Sequence, residues 1–288
     1  MKNNESTSRS KFRIWRVFAS RGLIAKISFF IILFFVAIAI IAPLFCQDPL
    51  EQDLLARYKM PSSEHLLGTD SLGRDIMSRI VYGTRISLLA SLASGVFAAM
   101  IGITLGLIAG YYERFVGAII MRLVDAHLSI PPLIFSMIVC AILGNGIWQT
   151  VVAIGIGMIP TYIRLVQGMV LTLKGNDYIV ATSLLGQKNA VILFKHLLPN
   201  CFPTIIVQFT MNLGSAILSE AGLSFIGLGI VSPDISWGSM VAEGYSALVK
   251  VPLLAIMPGI CIALVVIALN FIGDGLRDAL DPRLRGKL

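Results

Sequence analysis

Residues 23–45 read LIAKISFFIILFFVAIAIIAPLF, an apolar run in which Lys26 is the only charge. A helix needs roughly 20 such residues to cross the hydrocarbon core of a bilayer. The remainder of the 288-residue chain agrees with that reading: 56% of residues are hydrophobic and 14% are charged, where a soluble domain carries about 25% charged residues. Mean hydropathy is +0.84. A chain dissolved mainly in lipid must satisfy its backbone internally, so the expected fold is all-α and polytopic. The same reasoning disposes of nucleic acid as a partner, because the +7 net charge of a membrane protein reports orientation before it reports a ligand.

Five further stretches are long and apolar enough to span: 86–110, 116–143, 147–170, 202–229 and 252–273. The second of these carries Arg122, Asp125, His127 and Pro131-Pro132, so its first turns are expected near the headgroups. Six transmembrane helices put both termini on one side. With that side cytoplasmic, 17 of the 23 Lys and Arg residues fall inside, and Arg57, Lys59, Arg74, Arg79, Arg85 and Lys250 fall outside. Both termini are therefore expected in the cytoplasm of a cell-membrane protein. The resulting plan is a cytoplasmic tail at 1–22, a first helix at 23–45 and an extracytoplasmic segment at 46–85. A core at 86–273 with a cytoplasmic loop at 174–200 follows, and then a cytoplasmic tail at 274–288. Pro43 and Phe45 stand where a signal peptide would need small residues, so the first run reads as a retained span.

Catalytic chemistry is not legible. Gly68 and Gly73 have phosphate-loop spacing, but Arg74 and Asp75 follow in place of Lys and Ser/Thr, and Asp70 and Asp75 would repel a phosphate. His-Glu-x-x-His and Gly-x-Ser-x-Gly are missing as well, so the chain is not expected to be an enzyme. Cys46, Cys140, Cys201 and Cys261 are dispersed and without a neighbouring His. They read as buried apolar thiols, and no bound metal or cofactor is expected.

Four segments carry a resemblance: HLLGTDSLGRDIMSRIVYGTRISL (65–88), GYYERFVGAIIMRLVDAHLSIPPL (110–133), LSFIGLGIVSPDISWGSMVAEG (223–244) and GDGLRDALDPRLRG (273–286). In order and spacing they resemble the permease subunits of ABC importers of the dipeptide, oligopeptide and nickel class, specifically the second permease of the pair. A fifth segment, NDYIVATSLLGQKNAVILFKHLLPN (176–200), is similar to the cytoplasmic Glu-Ala-Ala loop through which such permeases meet their ATPases. Ala181, Gly186 and Leu198-Pro199 match; Val180 stands where Glu is usual and Thr182 where the second Ala is usual. The resemblance implies that Asp177, Tyr178, Val180, Ala181, Thr182, Gly186 and Pro199 contribute to ATPase coupling. It further implies a homologous partner permease, two ATPase subunits holding ATP and Mg, and an extracytoplasmic substrate-binding protein docked near the external segment 47–85, which carries the motif residues Gly68, Asp70, Gly73, Arg74 and Asp75. Independently of the family, a helix starting at Asn176 or Asp177 gains an N-terminal acceptor and ends well at Gly186.

Ionisable groups at membrane depth cost a few kcal/mol and usually face a cavity or a partner. Arg122 and Asp125 are three residues apart and are expected to pair. Glu220, with Asn212, Ser215 and Ser219 on nearby turns, either lines a pathway or makes a hydrogen-bonded helix contact. Gly102, Gly106 and Gly110 form a small-residue ladder suited to close helix packing. Trp237 and Tyr245 suggest that 232–251 is an interfacial re-entrant or surface helix.

The expected function is half of a translocation pathway for peptide import, driven by ATP hydrolysis on partner subunits. Nickel or metal-chelate uptake by the same mechanism is the alternative cargo. An ion-coupled secondary transporter using Asp125 or Glu220, or a membrane-embedded enzyme, would be the rival classes.

Overall fold

The computed structural model describes residues 23–45 and 48–280, all of its regular structure helical. The helices are α1 (Leu23–Phe45), α2 (Ile76–Tyr111), α3 (Ala118–Leu128), α4 (Pro132–Leu143), α5 (Ile147–Lys174), α6 (Asp177–Leu184), α7 (Asn189–Phe225), α8 (Trp237–Ser246) and α9 (Leu253–Leu280). Wide helical turns at Glu113–Gly117 and Ile192–Leu197 lead into α3 and into the body of α7. Cys46, the tail at 1–22 and residues 281–288 lie outside the described residues, and the first part of the expected C-terminal tail continues α9 as far as Leu280.

Among the described residues, α1, α2, α5, α7 and α9 are long and apolar enough to span a membrane. The third expected span, 116–143, is broken: Glu113–Leu128 and Pro132–Leu143 meet at 90°. The cause is the proline pair. Pro131 is extended, at φ −55° and ψ 134°, and Pro132 opens the next helix. Two consecutive residues without an N–H remove the bonds that would carry a helix through this point.

Two spans also start earlier than hydropathy suggests. The segment ahead of residue 86 holds Arg79 and Arg85, which argue against a span, yet α2 begins at Ile76. Asp75 caps it, accepting a 2.8 Å bond from the Ser78 amide. Similarly, α7 begins at Asn189 instead of 202, and Pro199 and Pro203 lie inside it. Pro199 leaves the Lys195 carbonyl without its usual donor, and Lys195 sits within the wide turn at Ile192–Leu197.

The most extensive helix packing among the described residues joins α2 to α5, and the glycine ladder makes it close. A Cβ on Gly102 would stand 2.5 Å from the Tyr162 Cβ, one on Gly106 2.8 Å from the Val166 Cβ, and one on Gly110 2.6 Å from the Val170 Cβ. Both series advance four residues at a time, so the bare face of one helix receives the ridge of the other. Against this pair α7 occupies the middle of the bundle, touching α2, α4, α5, α8 and α9.

Helix α8 differs from expectation. Trp237 is fully buried instead of interfacial: its Nε1 donates to the Ile80 carbonyl at 3.2 Å and its ring meets Phe35 of α1 edge-on at 5.5 Å. Gly83 makes room for it, since a Cβ there would reach the indole at 3.3 Å. A capping box formed by Ser236 and Ser239 starts the helix. Tyr245, at the other end, is exposed and rests against Phe225.

Candidate coupling loop and buried polar centres

The loop between α5 and α7 is a short helix held at its base and bare on its outer face. Asn176 opens α6, and it does so through its backbone carbonyl, which accepts from Ile179 and Val180; the expected side-chain cap is not made. The end conforms to expectation. Gly186 sits at φ +73°, its amide donates to Ser183, and the Gln187 amide donates to Thr182. These paired bonds are the Schellman closure, which needs a left-handed residue at this position. The Thr182 hydroxyl folds back to the Ile179 carbonyl at 2.7 Å, and its side chain is half-buried.

One residue anchors the helix. Ile179 is buried among Val170 of α5, Leu107 of α2, and Ile192, Leu193 and Leu197 of α7. Polar ties surround it: Asn200 donates to the Tyr178 hydroxyl at 3.3 Å, and His196 bonds Gln187 at 3.0 Å. Asn189 joins the Tyr111 and Tyr112 hydroxyls, both at 3.0 Å, and Lys174 reaches the Tyr111 carbonyl at 2.8 Å and Glu113 at 3.0 Å. The base of α6 is therefore packed against α2, α5 and α7 together, where further hydrogen bonds join the ends of those three helices. The outer face carries Asp177, Val180 and Ala181, all exposed, and then Leu184 and Leu185, each 83% exposed. Sequence reading missed the two leucines. Their signal was available, since Val180 with Leu184 and Ala181 with Leu185 are spaced to share a face on a loop too short to hide both. Pro199 lies in the first turns of α7, beyond this face.

Segment 48–75 is built around a buried ionic cluster. Asp70 is 0% exposed. One carboxylate oxygen accepts from the Leu72 and Arg74 amides at 2.8 and 3.0 Å; the other accepts from Arg74 Nε at 2.7 Å and Arg79 Nη1 at 2.5 Å. Glu243 of α8 completes it, bound by both Arg79 Nη atoms at 2.6 and 3.0 Å and by Arg74 at 3.2 Å. Two acids balance two guanidinium groups. Asp75 is spent on the cap of α2 and on His65, at 3.1 Å. Gly68 and Gly73 hold positive φ, and a Cβ on Gly73 would overlap the Asp53 carbonyl at 1.7 Å. The five motif residues thus form one rigid unit that ties the start of α2 to α8. The partners Arg79 and Glu243 were not legible, because Glu243 lies 164 residues from Arg79.

The polar residues of α7 separate. Glu220 is fully enclosed and ends two hydrogen-bond relays: the Trp237 amide donates to Ser87, whose hydroxyl donates to Glu220 at 3.1 Å, and the Ile230 amide donates to Ser224, whose hydroxyl donates at 2.9 Å. Of its two sequence readings, the geometry fits the helix contact. Asn212 is buried and accepts from Gln208 at 2.8 Å, Ser219 is half-buried, and Ser215 is exposed. Replacing Glu220 with Leu should leave both serine hydroxyls without an acceptor and cost about 1–3 kcal/mol, lowering the unfolding midpoint of the detergent-purified protein more than Glu220→Gln does. An unchanged midpoint combined with altered transport would return Glu220 to the pathway. The expected Arg122 pair is likewise replaced: Asp125 bonds Arg164 of α5 at 2.6 Å, with both side chains about half exposed. Cys140 and Cys201 are buried, and Cys261 is half-buried.

Comparison with known proteins bears on this architecture. The family described as binding-protein-dependent transport system inner membrane component matches residues 102–286. The glutathione transport system permease protein GsiD of Pectobacterium atrosepticum is 48% identical over 225 residues, 78% of this chain and 75% of that protein. The dipeptide transport system permease protein DppC of Alkalihalophilus pseudofirmus is 42% identical over 266 residues, 92% of this chain and 88% of that one. Among solved structures, a chain from inward-facing conformations of the MetNI methionine ABC transporter has a TM-score of 0.59 at 21% identity, covering 72% of this chain and 98% of its own. That likeness is one of fold. The match in sequence extends across the packed core and the loop it supports, and on that ground the chain belongs to the binding-protein-dependent transport system inner membrane components, as a multi-pass permease subunit of the ABC importer class.

Proposed function

We propose that this chain forms half of a peptide-import pathway across the cytoplasmic membrane, its two ends in the cytoplasm, paired with a homologous permease and driven by two ATPase subunits on the cytoplasmic face. An extracytoplasmic binding protein delivers the cargo to the side of segment 48–75. The observation that carries the reading is α6, a helix anchored by Ile179 with Leu184 and Leu185 left bare. Fully burying a leucine is worth about 1.5–3 kcal/mol, so a partner that covers this face gains affinity without any charged contact. Val180, in place of the carboxylate usual in such loops, extends the apolar surface. ATP and Mg act on the ATPases. Their closure moves α6, and the ties to α2, α5 and α7 pass that movement to the spans, which alternate between two openings. Small peptides fit as cargo because the relatives compared are named for glutathione and dipeptide transport, which favours them over nickel.

Ala181→Trp places bulk on the docking face, and Gly186→Val forces a β-branched residue into a left-handed turn at a cost on the order of 1 kcal/mol. No neighbouring atom lies within 4 Å of a Cβ at Gly186, so the penalty stays in the loop. Both variants should insert and accumulate normally yet lose ATPase on copurification in mild detergent. Normal ATPase recovery at equal expression would reduce the loop to a connector.

A further inference from the structure

Between α1 and α2 runs a groove of about 400 Å³. Val36, Ala39 and Ile40 of α1 form one wall, and Leu88, Leu89 and Leu92 of α2 form the other. One charged side chain, Arg85, completes the lining. It precedes the three leucines by three, four and seven residues, so all four share a helix face, with the cation about 5–10 Å nearer the start of α2. Arg85 is exposed. The two preceding arginines, Arg74 and Arg79, are consumed by Asp70 and Glu243; among the described residues no carboxylate pairs with Arg85. Its depth is informative as well. Helix α2 has 36 residues, about 54 Å of helix against a hydrocarbon core of about 30 Å; with the excess shared between its ends, Arg85, about 13 Å from the start, sits at the core boundary, from which its long side chain reaches the headgroups.

We propose that the groove holds one acyl chain of an anionic phospholipid, with the lipid phosphate bound by Arg85, in the leaflet on the side of segment 48–75. The chemistry requires both parts. An apolar trough has nothing to offer a free anion, and a guanidinium at its end selects a phosphate-bearing headgroup without a neutralising amine. A neighbouring transmembrane helix would fill the trough and leave the cation unmatched. The site is independent of the transport direction and of the role of α6.

Native mass spectrometry of the full-length protein, released from a mixture of phosphatidylglycerol and phosphatidylcholine with identical chains, tests it. Wild type should retain phosphatidylglycerol in preference by about tenfold, as expected for one charge-assisted contact. Arg85→Gln should bring the ratio near parity, Arg85→Lys should keep most of it, and Leu89→Trp, which fills the trough, should abolish the retained lipid. Excess inorganic phosphate should leave the lipid bound. A photoreactive side chain at position 92 should capture phospholipid. Equal ratios for wild type and Arg85→Gln, displacement by phosphate, or capture of a polypeptide at position 92 would each overturn the proposal.

Discussion

Asp70→Ala should destabilise the protein by about 3–5 kcal/mol, the range found when one member of a buried ion pair is removed and its partner charges stay behind. The size follows from enclosure and from connectivity. Asp70 is 0% exposed and one of its oxygens bridges Arg74 and Arg79. Its loss leaves two guanidinium groups facing one carboxylate, that of Glu243, which is itself partly exposed. Two backbone amides, of Leu72 and Arg74, lose their acceptor at the same time. Glu243→Gln should be milder, because solvent reaches that side of the cluster. Limited proteolysis should report the change within segment 48–75 before the spans open, and the unfolding midpoint in detergent should fall in the order wild type, Glu243→Gln, Asp70→Ala. Equal midpoints for the two variants would mean that the cluster is screened by water.

Gly106→Leu should also be damaging, for a different reason. Even the Cβ would stand 2.8 Å from the Val166 Cβ and 2.9 Å from the Ile163 carbonyl oxygen, and a backbone oxygen cannot rotate away. Helices α2 and α5 must separate, at a cost of 1–3 kcal/mol or more for overpacking, with further loss along the ladder at Gly102 and Gly110. Gly168→Ala, on α5 itself, is the control: a Cβ there meets nothing within 4 Å, so the variant should match wild type in yield and midpoint. Loss of folded protein in Gly106→Leu with retention in Gly168→Ala assigns the effect to the interface. Matching behaviour of the two would remove the ladder from the account of the fold.

Both effects have sequence origins of unequal visibility. The glycine ladder was legible because its four-residue period is a local property, and the structure adds only its partners, Tyr162, Val166 and Val170. The membrane class, the first span and the short helix ending at Gly186 were readable for the same reason. Hydropathy misplaced the start of α2 because it counts Arg79 as a charge facing lipid, whereas Asp70 and Glu243 neutralise it inside the protein. It also read 116–143 without the break at Pro131-Pro132, since a composition window does not register a 90° bend. Trp237 looked interfacial by residue type; only the cavity left by Gly83 and the Ile80 carbonyl makes it a core residue. For Glu220 the sequence offered pathway and helix contact on nearly equal terms. The hydroxyls that occupy it come from Ser87 and Ser224, and of these only Ser224 is near enough in sequence to be anticipated.

An ATPase engaging the bare face of α6 is the proposed drive of this permease. The most direct test is uptake of a labelled dipeptide into proteoliposomes containing the full complex, with Leu184→Asp compared against wild type at matched incorporation. ATP-dependent uptake that survives collapse of the proton gradient is the expected result. In Leu184→Asp, where a charge must be desolvated at the interface, ATPase binding should weaken and uptake should fall by about tenfold or more. Uptake driven by a proton gradient in vesicles lacking the ATPases, or full ATP-driven uptake by Leu184→Asp, would contradict it.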